Sequence, residues 1–425
     1  MKSALSKLGQ RTQSPPISWL MDLALSRPHL ISLAAGFTDN ASLPVDFTRE
    51  LVDEILRHAK HGQPALQYGP TAGDPMLREL TAKRLTELDA RESSRNQSER
   101  IAAESIIITH GSQQLLYILT EALCDPGDIV LVEDPTYFVY LGIAQSHGLD
   151  CRGVRMEADG IDLDHLEQLL KRLKQSGELK RVKFLYLVSY YQNPACLTTS
   201  FEKKEKALAL LRQYEKFAGH PIYLLEDAAY RELRFTGADT RSALCARGAE
   251  ARVLYTGTYS KPFATGVRVG FGVLPEPVLT LATRIKGNHD FGTANLVQQI
   301  LVKALRTGRY ETHLSNLRRR YARKSAVMEK AMEKYFPAGV TWPAIEGGLY
   351  FWAKTPTRVK TGIKSRTFQE ALNADVFYVP GAFCYANDKS RRKPDNEMRL
   401  SFGSASEKNI REGIKRLGSV LHGRS

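Results

Sequence analysis

Cysteine is scarce and scattered. The five thiols, Cys124, Cys151, Cys196, Cys245 and Cys384, form no Cys-x-x-Cys pair and have no His-rich partner segment. That argues against a disulfide framework or a zinc site and leaves reduced, mostly structural thiols. Long apolar runs are also missing: none reaches the length that spans a bilayer. The amino terminus, Met1-Lys2-Ser3-Ala4-Leu5-Ser6-Lys7, lacks the apolar core of a signal peptide. The sequence therefore reads as that of a cytoplasmic protein with no membrane partner. No internal repeat is found. Acidic residues are the minority charge, 46 against 60 basic, for a net charge of +14. Nucleic acid, anionic substrates or simple solubility each account for such an excess. Its densest stretch is Arg318-Arg319-Arg320-Tyr321-Ala322-Arg323-Lys324, where Leu314, Leu317, Tyr321, Val327 and Met328 recur at helical spacing. A solvated helix face explains it without a nucleic-acid partner. Arg391-Arg392-Lys393, in a polar loop with a proline, is read the same way.

What is present is an ordinary globular composition, 43% hydrophobic and 25% charged over 425 residues, enough chain for two domains. Residues 1–50 read as an arm that contributes to a small domain, 51–295 as a large domain and 296–425 as a smaller α+β domain. In the large unit, helical stretches at 74–89, 112–124, 162–175 and 201–217 alternate with strand-like segments. The strands are Ile106–Thr109, Ile129–Glu133, Val182–Ser189, Ile222–Glu226, Val253–Thr256 and Val267–Val273. Such alternation implies a largely parallel sheet with helices on both sides. Phe184-Leu185-Tyr186-Leu187-Val188 is apolar without alternation, which suits a strand covered on both faces. Beyond residue 294 a helical stretch runs to about 335, broken at Thr307-Gly308; a strand at Gly347–Trp352 and a closing helix at Glu407–Leu421 follow. Arg91–Arg100 is polar and reads as a surface loop.

Several motifs carry candidate chemistry. Ile106–Thr109 runs into His110-Gly111-Ser112-Gln113 and a helix with Leu115, Leu116, Leu119 and Leu123 on one face. Free backbone N–H groups, a hydroxyl and a helix dipole meet there and attract phosphate, although many such junctions bind nothing. Tyr137, in Asp134-Pro135-Thr136-Tyr137, follows a buried-looking strand at the end where ligands collect in α/β sheets, either to stack on a flat ligand or to pack. Asn193, in Gln192-Asn193-Pro194, either makes a turn or donates to a phenolate oxygen. Asp227, in Glu226-Asp227-Ala228-Ala229-Tyr230, ends another buried-looking strand. A buried carboxylate needs a partner: a protonated pyridine nitrogen is one, the N–H of a following turn another. Tyr230 can reach a phenolic oxygen from the same segment.

Thr258-Tyr259-Ser260-Lys261, with Arg268 seven residues on, offers an amine that can form a Schiff base and groups that can hold phosphate. An exposed loop lysine is the alternative at 261. Arg399, between apolar neighbours in Glu397–Phe402, either faces water or enters a cleft and takes a carboxylate bidentately.

From Leu33 to Phe402 these motifs, in this order, resemble the fold-type I, class I/II aminotransferases. The likeness is closest to the 2-aminoadipate/kynurenine aminotransferases and the aminotransferase-like domain of MocR-type regulators. The resemblance implies the PLP-dependent transferase fold: a mostly parallel seven-stranded sheet flanked by helices, in a PLP-binding domain over 51–295, with a smaller α+β domain. It implies pyridoxal 5′-phosphate (PLP) as cofactor, an amino acid and a 2-oxo acid as substrates, and no metal. Lys261 would form the Schiff base and shuttle the proton. Asp227 would pair with the pyridinium nitrogen, Asn193 and Tyr230 would bond the phenolic oxygen, and Tyr137 would stack on the ring. Ser112, Gln113, Thr258, Ser260 and Arg268 would hold the phosphate. Arg399 would bind the substrate's α-carboxylate, with Asn193 and Gly36 beside it. Tyr68, in Gln67-Tyr68-Gly69, matches a tyrosine that reaches the neighbouring subunit's phosphate, so a homodimer with shared sites is implied.

Three departures stand out. Ala195-Cys196 follows Asn193-Pro194 where the family often has Thr-Gly, and Ala229 stands where relatives often carry proline. The arm reads Pro16-Ile17-Ser18-Trp19 where relatives often carry an arginine that recognises the substrate side chain. Ser18 cannot do that, which argues against a 2-aminoadipate-like substrate; Trp19, Phe37 and Tyr350 either favour an aromatic or apolar side chain or simply pack. Two other readings accompany transamination. A β-lyase or decarboxylating enzyme would use the same cofactor residues. An effector-sensing domain of a MocR-type regulator needs a preceding winged helix, for which the roughly thirty residues before Leu33 are too few.

Overall fold

The apolar run at 182–188 lies in the middle of the central sheet of the computed structural model, which describes residues 4–27, 29–90, 101–388 and 391–423. The polar stretch Arg91–Arg100 lies outside the described residues. In chain order the strands are β1 Ile31–Ser32, β2 Ile106–Thr109, β3 Ile129–Asp134, β4 Asp150–Glu157, β5 Gly160–Ile161, β6 Val182–Val188 and β7 Tyr223–Asp227. There follow β8 Val253–Thr258, β9 Gly270–Val273, β10 Tyr350–Lys354, β11 Val376–Phe377, β12 Val379–Pro380 and β13 Glu397–Ser401.

The main sheet has the order β2-β9-β8-β7-β6-β3-β4-β5. From β4 through β3, β6 and β7 to β8 the neighbours are parallel. Only β9 runs against β2 and β8, and the two-residue β5 folds back on β4. The expected seven strands are thus joined by an eighth, a short hairpin edge. Along β6, Phe184, Tyr186 and Val188 enter one apolar core while Leu185 and Leu187 enter another on the opposite face. Side chains alternate across a strand, so a strand with a core on each side has no polar face to show.

The second core is closed by helices Leu163–Gln175 and Phe201–Ala218. Asp162 and Ser200 start them by accepting the N–H groups of His165 and Lys203, which satisfies donors the helix cannot. Leu166, Leu170 and Leu173 face the sheet, and each contributes roughly 2 kcal/mol by leaving water. Strand β4 has no counterpart among the strands expected from the sequence. It lies next to the sheet edge and carries Asp150, Arg152, Arg155 and Glu157 on partly exposed positions, which hides its period.

A smaller antiparallel sheet has the order β10-β13-β12, and β1 pairs in parallel with β11. The N–H of Ser401 donates to Leu33 O at 2.6 Å, tying β13 to the arm. The long helical stretch breaks where expected: Asn295–Arg306 and Arg309–Tyr335 meet at Gly308, whose φ of 71° is costly for residues with a Cβ. The basic run lies on the second of these helices, and its arginines are engaged within the protein. Arg318 donates to Glu232 O, Arg319 to Asn316, Arg320 to Asp39 and Arg323 to Glu407. Lys324 of that run and the loop residue Arg391 depart from the expected solvated reading: Lys324 is buried and donates to Gly403 O at 2.7 Å, and Arg391 is drawn in to pair with Asp134 and lies over the Tyr385 ring. Asp134 is largely buried, and an arginine is the partner such a carboxylate needs. No helix among the described residues is long and apolar enough to cross a membrane.

Candidate active site

The carboxyl ends of β3, β6, β7 and β8 open on one cleft of about 250 Å³. It lies where chain direction across the sheet switches, since β3 leads outward to β4 while β6 and its successors return.

At one end of the cleft β2 enters the helix Gly111–Leu123, whose first turn has no side-chain cap. Its N–H groups, with Ser112 and Gln113, face the cleft. Gly111 takes φ 72°, and a Cβ there would stand 2.6 Å from Arg268 Nη2, so the guanidinium rests over the helix start. Gly270 is needed for the same closeness, because its Cβ would be 2.3 Å from Ser112 N. From the end of β8, Thr258 Oγ1 accepts the Ser260 N–H at 3.0 Å, and Arg268 donates to Ser260 Oγ at 3.2 Å and to Thr265 O at 3.3 Å. Hydroxyls, a helix start and a permanent cation form an anion cradle. Thr265 also lines it and was missed in the sequence, because nothing in a threonine before Gly266-Val267 marks it.

In the middle stands Asp227, at the end of β7. Tyr186 donates to its Oδ2 at 2.8 Å and the Ala229 N–H to its Oδ1 at 3.1 Å. The turn-capping alternative is therefore realised, yet among the described residues no cation reaches the carboxylate. Burial pushes it up to about 6, with the Tyr186 hydrogen bond pulling the other way. Tyr186 was overlooked as a partner because it sits inside an apolar run.

Lys261 is half-buried, and its Nζ donates to Gly36 O at 2.8 Å. Loss of water around the amine, then the charges of Arg399 and Arg268, push it down to about 8.

At the far end Arg399, on β13, is 1% exposed. Its Nη1 donates to Asn193 Oδ1 and its Nη2 to Ala34 O, each at 2.7 Å, while buried Nε has no partner among the described residues. The guanidinium lies 4.2 Å from the centre of the Tyr350 ring. Of the two orientations open in the sequence, this strand arginine takes the cleft. Asn193 Nδ2 donates to Tyr230 Oη at 3.2 Å, and Tyr230 and Tyr350 share a hydrogen bond of 3.1 Å. Gly36 passes close by, for a Cβ there would meet Tyr350 Oη at 2.8 Å. Phe37, Phe138, Val139 and Tyr137 complete the wall.

One cleft thus gathers Gly36, Ser112, Gln113, Tyr137, Asn193, Asp227, Tyr230, Thr258, Ser260, Lys261, Arg268 and Arg399. Tyr68 is not brought to it; the side chain is 81% exposed and edges onto Phe291. Trp19 is also elsewhere, packed on Phe368.

A strand-end cleft with a pH-poised amine, a buried carboxylate lacking a cation and an anion cradle is the site of a fold-type I PLP enzyme. The residues fit that cofactor: the cradle takes a phosphate, and Asp227 has room for a cationic ring nitrogen. Residues 28–417 match the family described as aminotransferase class I and II. The chain is 33% identical to aromatic-amino-acid aminotransferase 1 of Thermococcus litoralis, over 92% of this chain and 88% of that protein. It resembles the structure of Pyrococcus horikoshii kynurenine aminotransferase in complex with PMP, with a TM-score of 0.87 at 31% identity, covering 99% of this chain and 97% of the other. A third likeness is to α-aminoadipate aminotransferase from Thermus thermophilus, with a TM-score of 0.84 at 30% identity over 99% and 97% of the two chains. The chain belongs to the aminotransferase class I and II family. It is a PLP-dependent aminotransferase; the near full-length matches favour transamination over the lyase, decarboxylase and regulator readings.

Proposed function

We propose that the cleft residues divide the work of amino transfer as follows. When bound, PLP supplies an aldehyde that takes up amines and a ring that draws electron density from the amino acid's Cα. Lys261 holds the cofactor through Nζ and moves the proton at Cα, a task suited to an amine lowered to about 8. Asp227 keeps the ring nitrogen protonated. Asn193 and Tyr230 bond the phenolic oxygen, and Tyr137 covers a ring face. Ser112, Gln113, Thr258, Ser260 and Arg268, with Thr265, hold the phosphate. Arg399 fixes the α-carboxylate of amino acid and 2-oxo acid alike, its unpartnered Nε supporting this reading.

The observation that carries the proposal is that Lys261, Asp227, Arg268 and Arg399 share one cleft. Its test is a single half-reaction: protein loaded with PLP and given an amino acid alone should release one equivalent of the 2-oxo acid, and Lys261→Ala should release none. Release of carbon dioxide or of an eliminated side chain instead would refute transfer.

For the donor we infer an apolar or aromatic side chain. Phe37, Phe138, Val139 and Tyr350 line that end, and among the described residues the cleft's cations are the three already assigned. We also propose a homodimer with shared sites, to which Tyr68 contributes; exposed Leu66, Tyr68 and Phe291 support it. The division at about 50 and 295 into arm, PLP-binding domain and small domain is proposed on the three sheets and their connections. A cytoplasmic role in amino acid metabolism fits five unpaired thiols.

A further inference from the structure

Behind the cleft wall, Glu133 on β3 is fully buried, and its Oε2 accepts two hydrogen bonds from the neighbouring β6 segment: Val188 N–H and Gln192 Nε2, each at 2.9 Å. Gln192 is also fully buried, and both ends of its amide are occupied. Its Nε2 donates a second time, to Pro135 O at 2.7 Å, and its Oε1 accepts the Ala195 N–H at 2.7 Å. Pro135 is two residues before Tyr137, and Gln192 is next to Asn193. One amide therefore ties together the two loops that deliver these side chains to the cleft. Among the described residues no cation pairs with Glu133, and burial pushes it up to about 8, which favours the neutral acid at neutral pH. A neutral acid fits a place beside Asp227, where a second buried negative charge would be costly.

We propose that Glu133 and Gln192 are positioning residues of amino transfer, a buried carboxyl–amide brace that sets Asn193 and Tyr137 relative to each other and, through Asn193, aims Arg399. The proposal rests on the roles given above to Asn193 and Tyr137. Neither brace residue lines the cleft, so each acts only through its neighbours.

A double-mutant cycle on the full-length protein tests it, read by three quantities: affinity of the cofactor-free protein for PLP, KM for an amino acid, and Tm. Leaving buried partners unmade should raise the PLP Kd and the KM of Gln192→Met roughly ten-fold each. Glu133→Gln, close in shape to the neutral acid, should stay within about two-fold of the parent in both. On an Asn193→Ala background, Gln192→Met should add at most about two-fold to KM, because the residue it aims through is gone. Unchanged Kd and KM in folded Gln192→Met, or full additivity in the cycle, would overturn the brace. If Gln192→Met does not fold, Gln192→Glu, which keeps the oxygen facing Ala195, takes its place in the cycle, with the same rise in Kd and KM expected and the same two results overturning the brace. The Asn193→Ala variant alone separates the two levels: if it leaves both Kd and KM unchanged, the assigned role of Asn193 fails; if it changes them and Gln192 does not, only the brace fails.

Discussion

The two ends of the cleft are built in opposite ways. The phosphate end comes from two short segments, 111–113 and 258–268, bent into place by turns with positive φ at Gly111 and Arg268. It is open, with Gln113 and Arg268 exposed. The carboxylate end is assembled from the arm, β10, β13 and the loop after β6, and Arg399, Asn193 and Tyr350 are buried. The first grips a group that every cofactor molecule carries, so local geometry suffices. The second must hold a guanidinium in a desolvated place, where a misaimed charge is costly, so it draws on distant parts of the fold.

Mutations can break this contrast in order of size. Asp227→Asn, between the two ends, should lower kcat by about 10²–10³-fold by removing the fixed charge opposite the ring nitrogen; retention of most of the turnover would show that the carboxylate is only a turn cap. Arg399→Ala should raise the KM of amino acid and 2-oxo acid about a hundred-fold, from loss of a buried charge-assisted pair of about 2–3 kcal/mol. PLP binding should stay within about two-fold, as measured by fluorescence titration. Arg268→Gln should do the reverse, weakening PLP roughly ten-fold while sparing KM. If both arginines moved both quantities equally, the two ends would not be independent.

The smallest effect is a titration. In the cofactor-free protein the Lys261 amine, lowered to about 8, should gain reactivity toward an aldehyde trapped by reduction as pH rises through about 8. A rise only near the ordinary lysine value of 10.5 would show that the amine is not desolvated. Between about 8 and 10.5 the unfolded chain keeps a proton that the folded one has shed, so this group favours the fold increasingly as pH climbs.

Much of the site was legible because its motifs sit at strand ends, where a turn residue and a polar side chain interrupt an apolar run. Asp227 after Leu224-Leu225-Glu226 and Lys261 after Val253–Thr258 are examples. Arg399 was legible only as a choice, since a strand has two faces and the sequence does not say which one meets the cleft. Tyr186, Glu133 and Gln192 were invisible as working groups because their partners are other strands, and neighbours across a sheet are not neighbours in sequence. Tyr350 was weighed as a wall for the substrate; its bond to Tyr230 and its face under Arg399 depend on the packing of β10 against the main sheet's loops.

The bond from Arg399 to the carbonyl of Ala34 spans 365 positions of chain. During synthesis the arm leaves the ribosome first and β13 nearly last, so the anchor for the carboxylate waits on the final strand. A nascent chain halted before residue 397 already contains every segment of the phosphate cradle, yet it lacks the guanidinium that seats the α-carboxylate. The means to grip the cofactor is thus synthesised before the means to seat a substrate.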